Sequence, residues 1–216
     1  MPRISPEREE ATRRRILRAA RRVFVEKGFH RASIDDVVAA CGLSVGAIYT
    51  YFPNKDELIR ASILDANREE SDAVLADTRA AGSVTDRLER AIRGWWRYTI
   101  EAEGAPAFLA EAWGEASRRP LIRDLMARRQ ERGITMTSIM LGECIEHGEL
   151  PPRVDVDALA RTIGALTDGM VLEYVVSGGS LRFEDAQARI GLVLEAAIQE
   201  AEAASRPGSM PSPQPA

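Results

Sequence analysis

Apolar residues recur three and four positions apart along almost the whole chain, and no stretch sustains the alternating pattern of a strand. The pattern predicts an all-α fold of about nine helices. From about residue 8 to residue 27, Ile16, Leu17, Ala20, Val23 and Phe24 share one face and the arginines lie off it; Gly28 ends that helix and Phe29 folds back over its end. Ser33 with Asp36 reads as a capping box opening a short helix over 34–41, which Gly42 stops after Ile34, Val37, Val38 and Cys41 have faced inward. Ser44 caps a third helix over 45–51, and Pro53 closes it. Two short helices joined by a glycine-containing turn and braced by a longer one make a helix-turn-helix.

Asn54, with Glu57 three residues on, caps a fourth helix running towards residue 80, long enough to connect two bodies. Further helices are predicted at about 85–102, 106–117, 120–147, 155–176 and 183–204, separated by AAGSV, EGA, SRRP, HGELPPRV and SGGS. The expected organisation is a head over residues 1–53, a second helical domain over 54–204, and a disordered tail over 205–216, where Pro, Ser and Gly dominate.

Composition, 45% hydrophobic and 29% charged, is that of an ordinary globular chain. The net charge of −4 conceals an asymmetry: residues 1–52 hold ten Lys and Arg against six acids, leaving 19 basic and 27 acidic residues for the remainder. A basic first quarter on an acidic body suits a polyanion at one end only. No apolar run of membrane-spanning length occurs and the N-terminus has no apolar signal-peptide centre, so a cytoplasmic protein is expected. Cys41 and Cys144 lie far apart without a CxxC pair, and His30 and His147 are isolated. Neither a metal site, a cofactor nor a catalytic residue is indicated, and an enzyme is not expected.

The stretch 44–55 meets the needs of a helix entering the major groove. Gly46 and Ala47 project almost nothing in its first turn, and Val45 is a compact apolar group suited to a thymine methyl. Ile48 and Phe52, four apart, share an inner side, whereas Tyr49 and Tyr51 point elsewhere and are free for phosphates. Lys55 sits in the first turn of its helix, where the dipole disfavours a cation by about 0.3 to 1 kcal/mol, so something else must favour it; a phosphate is the natural candidate.

The segment GFHRASIDDVVAACGLSVGAIYTYFPNKDELI resembles, in register over residues 28–58, the DNA-binding part of the TetR family of bacterial transcriptional regulators. Gly28, Phe29, Ser33, Gly42, Ser44, Gly46, Tyr49, Tyr51, Phe52, Lys55 and Leu58 carry the match, and RRRILRAARRVFVEKG resembles the family's first helix. ALARTIGALTDGMVLEYVV is similar to its penultimate helix. The resemblance implies that 34–41 positions and 45–51 recognises. Val45, Gly46 and Ala47 would face bases, Ser33, Tyr49, Tyr51 and Lys55 would meet or flank phosphates, and Ser44 and Thr50 would belong to the same interface. Val45 stands where the family often has lysine or another polar residue, which implies fewer polar base contacts and more reliance on DNA shape. It also implies a homodimeric repressor released from a palindromic operator by a small-molecule effector. A redox- or partner-responsive regulator and an α-helical enzyme using the same cavity are the alternatives.

In the body, Trp95, Trp96, Phe108, Trp113, Met126, Met136 and Met140 are candidates to line an effector pocket. Glu111 and Glu115 flank Trp113 and would suit a cationic ligand, but solvated surface acids are the expectation. Ala160, Gly164 and Asp168 form a line of short side chains permitting close helix approach, with Asp168 as a polar cap there. A four-helix interface between two copies is expected from Ala160, Ile163, Gly164, Thr167 and Val171 with Ile190, Val193, Leu194 and Ala197.

Overall fold

The computed structural model describes residues 5–78 and 84–204. The described residues form nine α-helices and a π-turn: α1 (Pro6–Arg31), α2 (Ile34–Cys41), α3 (Val45–Tyr51), α4 (Lys55–Thr78), α5 (Val84–Trp96), the π-turn Arg97–Glu101, α6 (Ala105–Ala116), α7 (Pro120–Glu146), α8 (Val156–Val176) and α9 (Phe183–Ala203). The expected tail over 205–216 lies outside the described residues, as does most of the expected connector AAGSV. No described helix is long and apolar enough to cross a membrane.

Local capping explains the head. Ser33 and Asp36 close the reciprocal capping box of α2, Gly42 ends that helix in the left-handed region, and Ser44 Oγ accepts from Ala47 N at 3.2 Å to open α3. Asn54 Oδ1 accepts from Glu57 N at 2.8 Å at the start of α4. Ile16, Leu17, Phe24, Val37, Ile48 and Phe52 bury together, so α3 is anchored from behind.

Two departures from the expected helices matter. Gly28 does not end α1: with φ 74° and ψ 158° it kinks the chain in a region open to glycine almost alone, and one more turn follows through Arg31. The helix expected over 85–102 instead widens at 97–101 into a π-turn, which brings the consecutive residues Thr99 and Ile100 both inside.

Head and body share one core. Phe24 meets Phe29 edge to face at 5.1 Å between centroids, and Phe29 meets Phe108 of α6 in the same way at 5.5 Å. Helix α4 packs on α1 at one end and on α5 and α7 further along, while α6 touches α1, α7, α8 and the π-turn.

Candidate nucleic-acid interface and effector body

Helix α3 presents one open side. Val45, Gly46, Tyr49 and Thr50 are exposed, Ala47 is half-buried, and Ser33 and Ser44 are exposed at the N-caps of α2 and α3. A Cβ placed on Gly46 would meet nothing within 4 Å, so the chain itself does not require glycine there. Thr50 Oγ1 donates to Gly46 O at 2.9 Å, which turns that hydroxyl back onto its own helix. The two tyrosines differ: Tyr49 is 48% exposed, whereas Tyr51 is half-buried against the core, its ring 6.4 Å from Phe52.

Lys55 has a partner within the protein. Its Nζ donates to the carbonyl of His30, at the C-terminal end of α1, at 2.9 Å. An ammonium at a helix C-terminus is favoured by the dipole and offsets the unfavourable end of its own helix. Burial and the nearby Arg119 guanidinium lower its pKa. The lysine expected to seek a phosphate stitches α4 to α1. Arg15, Arg18 and Arg22 line an open hollow of about 370 Å³ beside Ala40 and Cys41, and none of the three makes an ion pair with a described residue.

Inside the body, one arginine bridges two acids. Arg129 of α7 donates to Glu70 of α4 through Nε and Nη2 at 3.0 and 2.9 Å, and to Asp168 of α8 through Nη1 at 3.0 Å. Thr99 Oγ1 donates to Glu70 at 3.1 Å. Asp168 thus has its partner within the chain; its burial raises its pKa, against the pull of Arg129. Trp95 Nε1 on α5, Asn67 Nδ2 on α4 and Arg87 Nε on α5 are buried with no hydrogen-bond partner among the described residues.

The expected pocket residues divide. Trp95, Trp96, Phe108 and Met126 are buried, while Trp113, Met136 and Met140 are half-buried. Phe108 serves the junction with the head, and Trp96 is held by Glu101 Oε1 at 2.9 Å and by an edge contact with Phe183. Glu111 is no solvated acid: its Oε1 accepts from Phe29 N at 2.7 Å.

Of the residues expected between two copies, Ala160, Ile163, Val171 and Ile190 are buried within the chain itself. Gly164 faces Ile134 of α7, 3.5 Å from where its Cβ would stand, so the line of short side chains admits a helix of the same chain. Gly164, Thr167, Val193, Leu194 and Ala197 are half-buried. On α7, α8 and α9 the exposed large apolar residues are Ile139, Leu172, Val175, Val176 and Leu192. Burial also decides the thiols: both cysteines are buried, and desolvation pushes Cys144 up to about 11, the reverse of a reactive thiolate.

Comparison with known proteins agrees with this geometry. Residues 16–62 match the bacterial regulatory proteins of the tetR family, and residues 84–200 match the BetI-type transcriptional repressor C-terminal family. The HTH-type transcriptional regulator UidR of Escherichia coli strain K12 is 27% identical over 164 residues, covering 76% of this chain and 82% of UidR. BetI of Escherichia coli strain SMS-3-5 is 29% identical over 171 residues, covering 78% and 85%. Among solved structures, a transcriptional regulator of Pseudomonas aeruginosa superposes with a TM-score of 0.78 at 19% identity, covering 94% of this chain and 97% of that one. One from Saccharomonospora viridis, in complex with choline, gives 0.74 at 22% identity, covering 87% and 96%. The chain belongs to the TetR family of bacterial regulators: it is a DNA-binding transcriptional repressor whose helical C-terminal part is of the BetI type.

Proposed function

We propose that two copies of the chain hold their α3 helices in successive major grooves of a twofold operator, and that a small molecule bound in the body releases them. The head is residues 1–53 and the body 54–204; the protein works in the cytoplasm and catalyses no reaction. The observation that carries the DNA assignment is the exposed, unencumbered first turn of α3, where Gly46 has open space before it and Ile48 and Phe52 fix the helix from behind. Val45 and Ala47 meet base edges, Ser33, Ser44 and Tyr49 flank phosphates, and Tyr51 and Thr50 hold the helix. Leu172, Val175 and Val176, spaced along one face of α8, with Leu192 of α9, supply the apolar surface that a second copy covers.

Gly46→Leu separates binding from folding. A Cβ placed there meets nothing within 4 Å and the position is exposed, so a side chain is expected to be tolerated by the free protein, yet it fills the space the bases need. Genomic fragments selected by the wild type should bind the variant about a hundredfold more weakly or worse, with no loss of thermal stability. Undiminished binding by Gly46→Leu would remove α3 from the groove.

The effector is a small organic cation with an acceptor oxygen. Glu70 and Asp168 set two carboxylates against the single guanidinium of Arg129, a surplus negative charge that a cation relieves, and Trp95 Nε1 and Asn67 Nδ2 are donors awaiting an acceptor. Choline has both features, and the choline complex of the Saccharomonospora viridis relative supports it as the first probe. Calorimetric titration should give binding that Asp168→Asn abolishes; heat unchanged by that substitution would relocate the site.

A further inference from the structure

The junction between α6 and the head contains a contact from a side chain of one to the backbone of the other. Beyond the kink at Gly28, the turn Phe29–Arg31 starts anew, and its first amide, Phe29 N–H, points away from α1. The acceptor is the carboxylate of Glu111, on α6, at 2.7 Å. An ionised acceptor on a backbone amide makes one of the stronger hydrogen bonds available, and here it is half-buried beside the Phe29 and Phe108 rings.

The backbone is shaped around it. A Cβ on Gly28 would stand 2.8 Å from Glu111 Oε1, and the positive φ already disfavours any other residue. Other ties join the head to α4: Lys55 Nζ donates to the carbonyl of His30 at 2.9 Å, and Arg21 of α1 pairs with Glu69 at 2.7 Å and with Asp65 at 3.5 Å. The Arg21 pairs join flexible side chains, which transmit little orientation, and Lys55 acts from α4, the helix continuous with the head; Glu111 acts from α6, in the body. Glu111 grips backbone, immediately before the loop that leads into α2. Rotation of α6 therefore carries the Phe29 amide with it, and α6 also packs on α7, α8 and the π-turn, the elements that hold Arg129, Asp168 and Thr99.

We infer that Glu111 is the positioning residue that sets the angle of the DNA-binding head on the body, by capping the Phe29 amide from α6. The inference rests on the DNA-binding reading and deepens it: an operator that must be gripped by two heads at once senses that angle, while a single head on arbitrary DNA does not.

The test uses full-length wild type, Glu111→Ala and Glu111→Gln. Amide hydrogen exchange is read at Phe29, and affinity is measured both for a selected operator fragment and for a mixed-sequence duplex of the same length. In Glu111→Ala, exchange at Phe29 should rise about tenfold or more while Ile16 to Phe24 stay protected. Operator affinity should fall about tenfold with mixed-sequence affinity unchanged, and Glu111→Gln, which keeps an acceptor oxygen, should recover most of both. Unchanged exchange at Phe29 in Glu111→Ala overturns the inference, and so does an equal loss of affinity for both duplexes. Should the wild type select no operator, the operator reading fails, and the exchange measurement alone still decides whether Glu111 holds the amide.

Discussion

The head and the body use charge in opposite ways. On α1, Arg15, Arg18 and Arg22 stand around an open hollow without ion pairs among the described residues; inside the body, Arg129 has every nitrogen engaged by Glu70 and Asp168. The side chain of Arg129 is 9% exposed, against 59% for Arg14 in its pair with Glu10. Exposed charge is cheap to hold and easily screened, so it serves long-range attraction to DNA. Buried charge is tolerable only when fully paired, so it couples the helices that carry it, here α4, α7 and α8.

The largest expected effect breaks the buried side of this contrast. Arg129→Ala leaves two carboxylates facing each other and should cost about 3 to 5 kcal/mol in urea unfolding. A loss below about 1 kcal/mol would mean that water reaches the cluster and that it behaves like surface charge. Next, Ser33→Ala removes the cap of α2 and should cost about 1 kcal/mol, in the head alone. Its partner Asp36 tests the same cap through pH. Hydrogen bonds from Lys27, at 2.5 Å, and from Ser33 hold the Asp36 carboxyl down at about 2, against an ordinary 3.8. An acid whose pKa is depressed by folding adds stability above its ordinary value and loses it as pH falls through the depressed one. The stability difference between wild type and Asp36→Asn should therefore shrink between pH 3.8 and about 2; a difference that stays constant would dismiss the ion pair. The smallest effect is on the exposed side: Arg14→Ala, facing Glu10 at 2.9 Å one turn away, should change stability by about 0 to 1 kcal/mol, less at high salt.

The same division separates what sequence spacing reveals from what it conceals. Caps and stops act within four residues, so Ser33 with Asp36, Gly42, Ser44 and Asn54 announce the head helices, and the inward side of α3 follows from Ile48 and Phe52 four apart. Side chains that act across the fold leave no such trace. Glu111 meets an amide 82 residues away, and Arg129 meets Glu70 over 59 residues and Asp168 over 39. The local dipole argument at Lys55 correctly required a favourable partner, but that partner is the end of another helix, 25 residues back. Likewise the short side chains at Ala160 and Gly164 signal a close helix approach without naming Ile134 as the neighbour. One hint was readable: Gly28 beside Phe29 marks a backbone that a second element approaches closely, although nothing in the spacing says which.

The three tryptophans occupy α5 and α6, and none lies in the head. Near-ultraviolet emission therefore reports on the body alone, while the head, with only tyrosine and phenylalanine, is silent when excitation is confined to indole. Trp113 lies two residues along α6 from Glu111, half-buried, so its light is emitted beside the junction with the head. An unlabelled sample thus carries its own optical probe on the body side of that junction, and circular dichroism, which sees every helix, supplies the other channel.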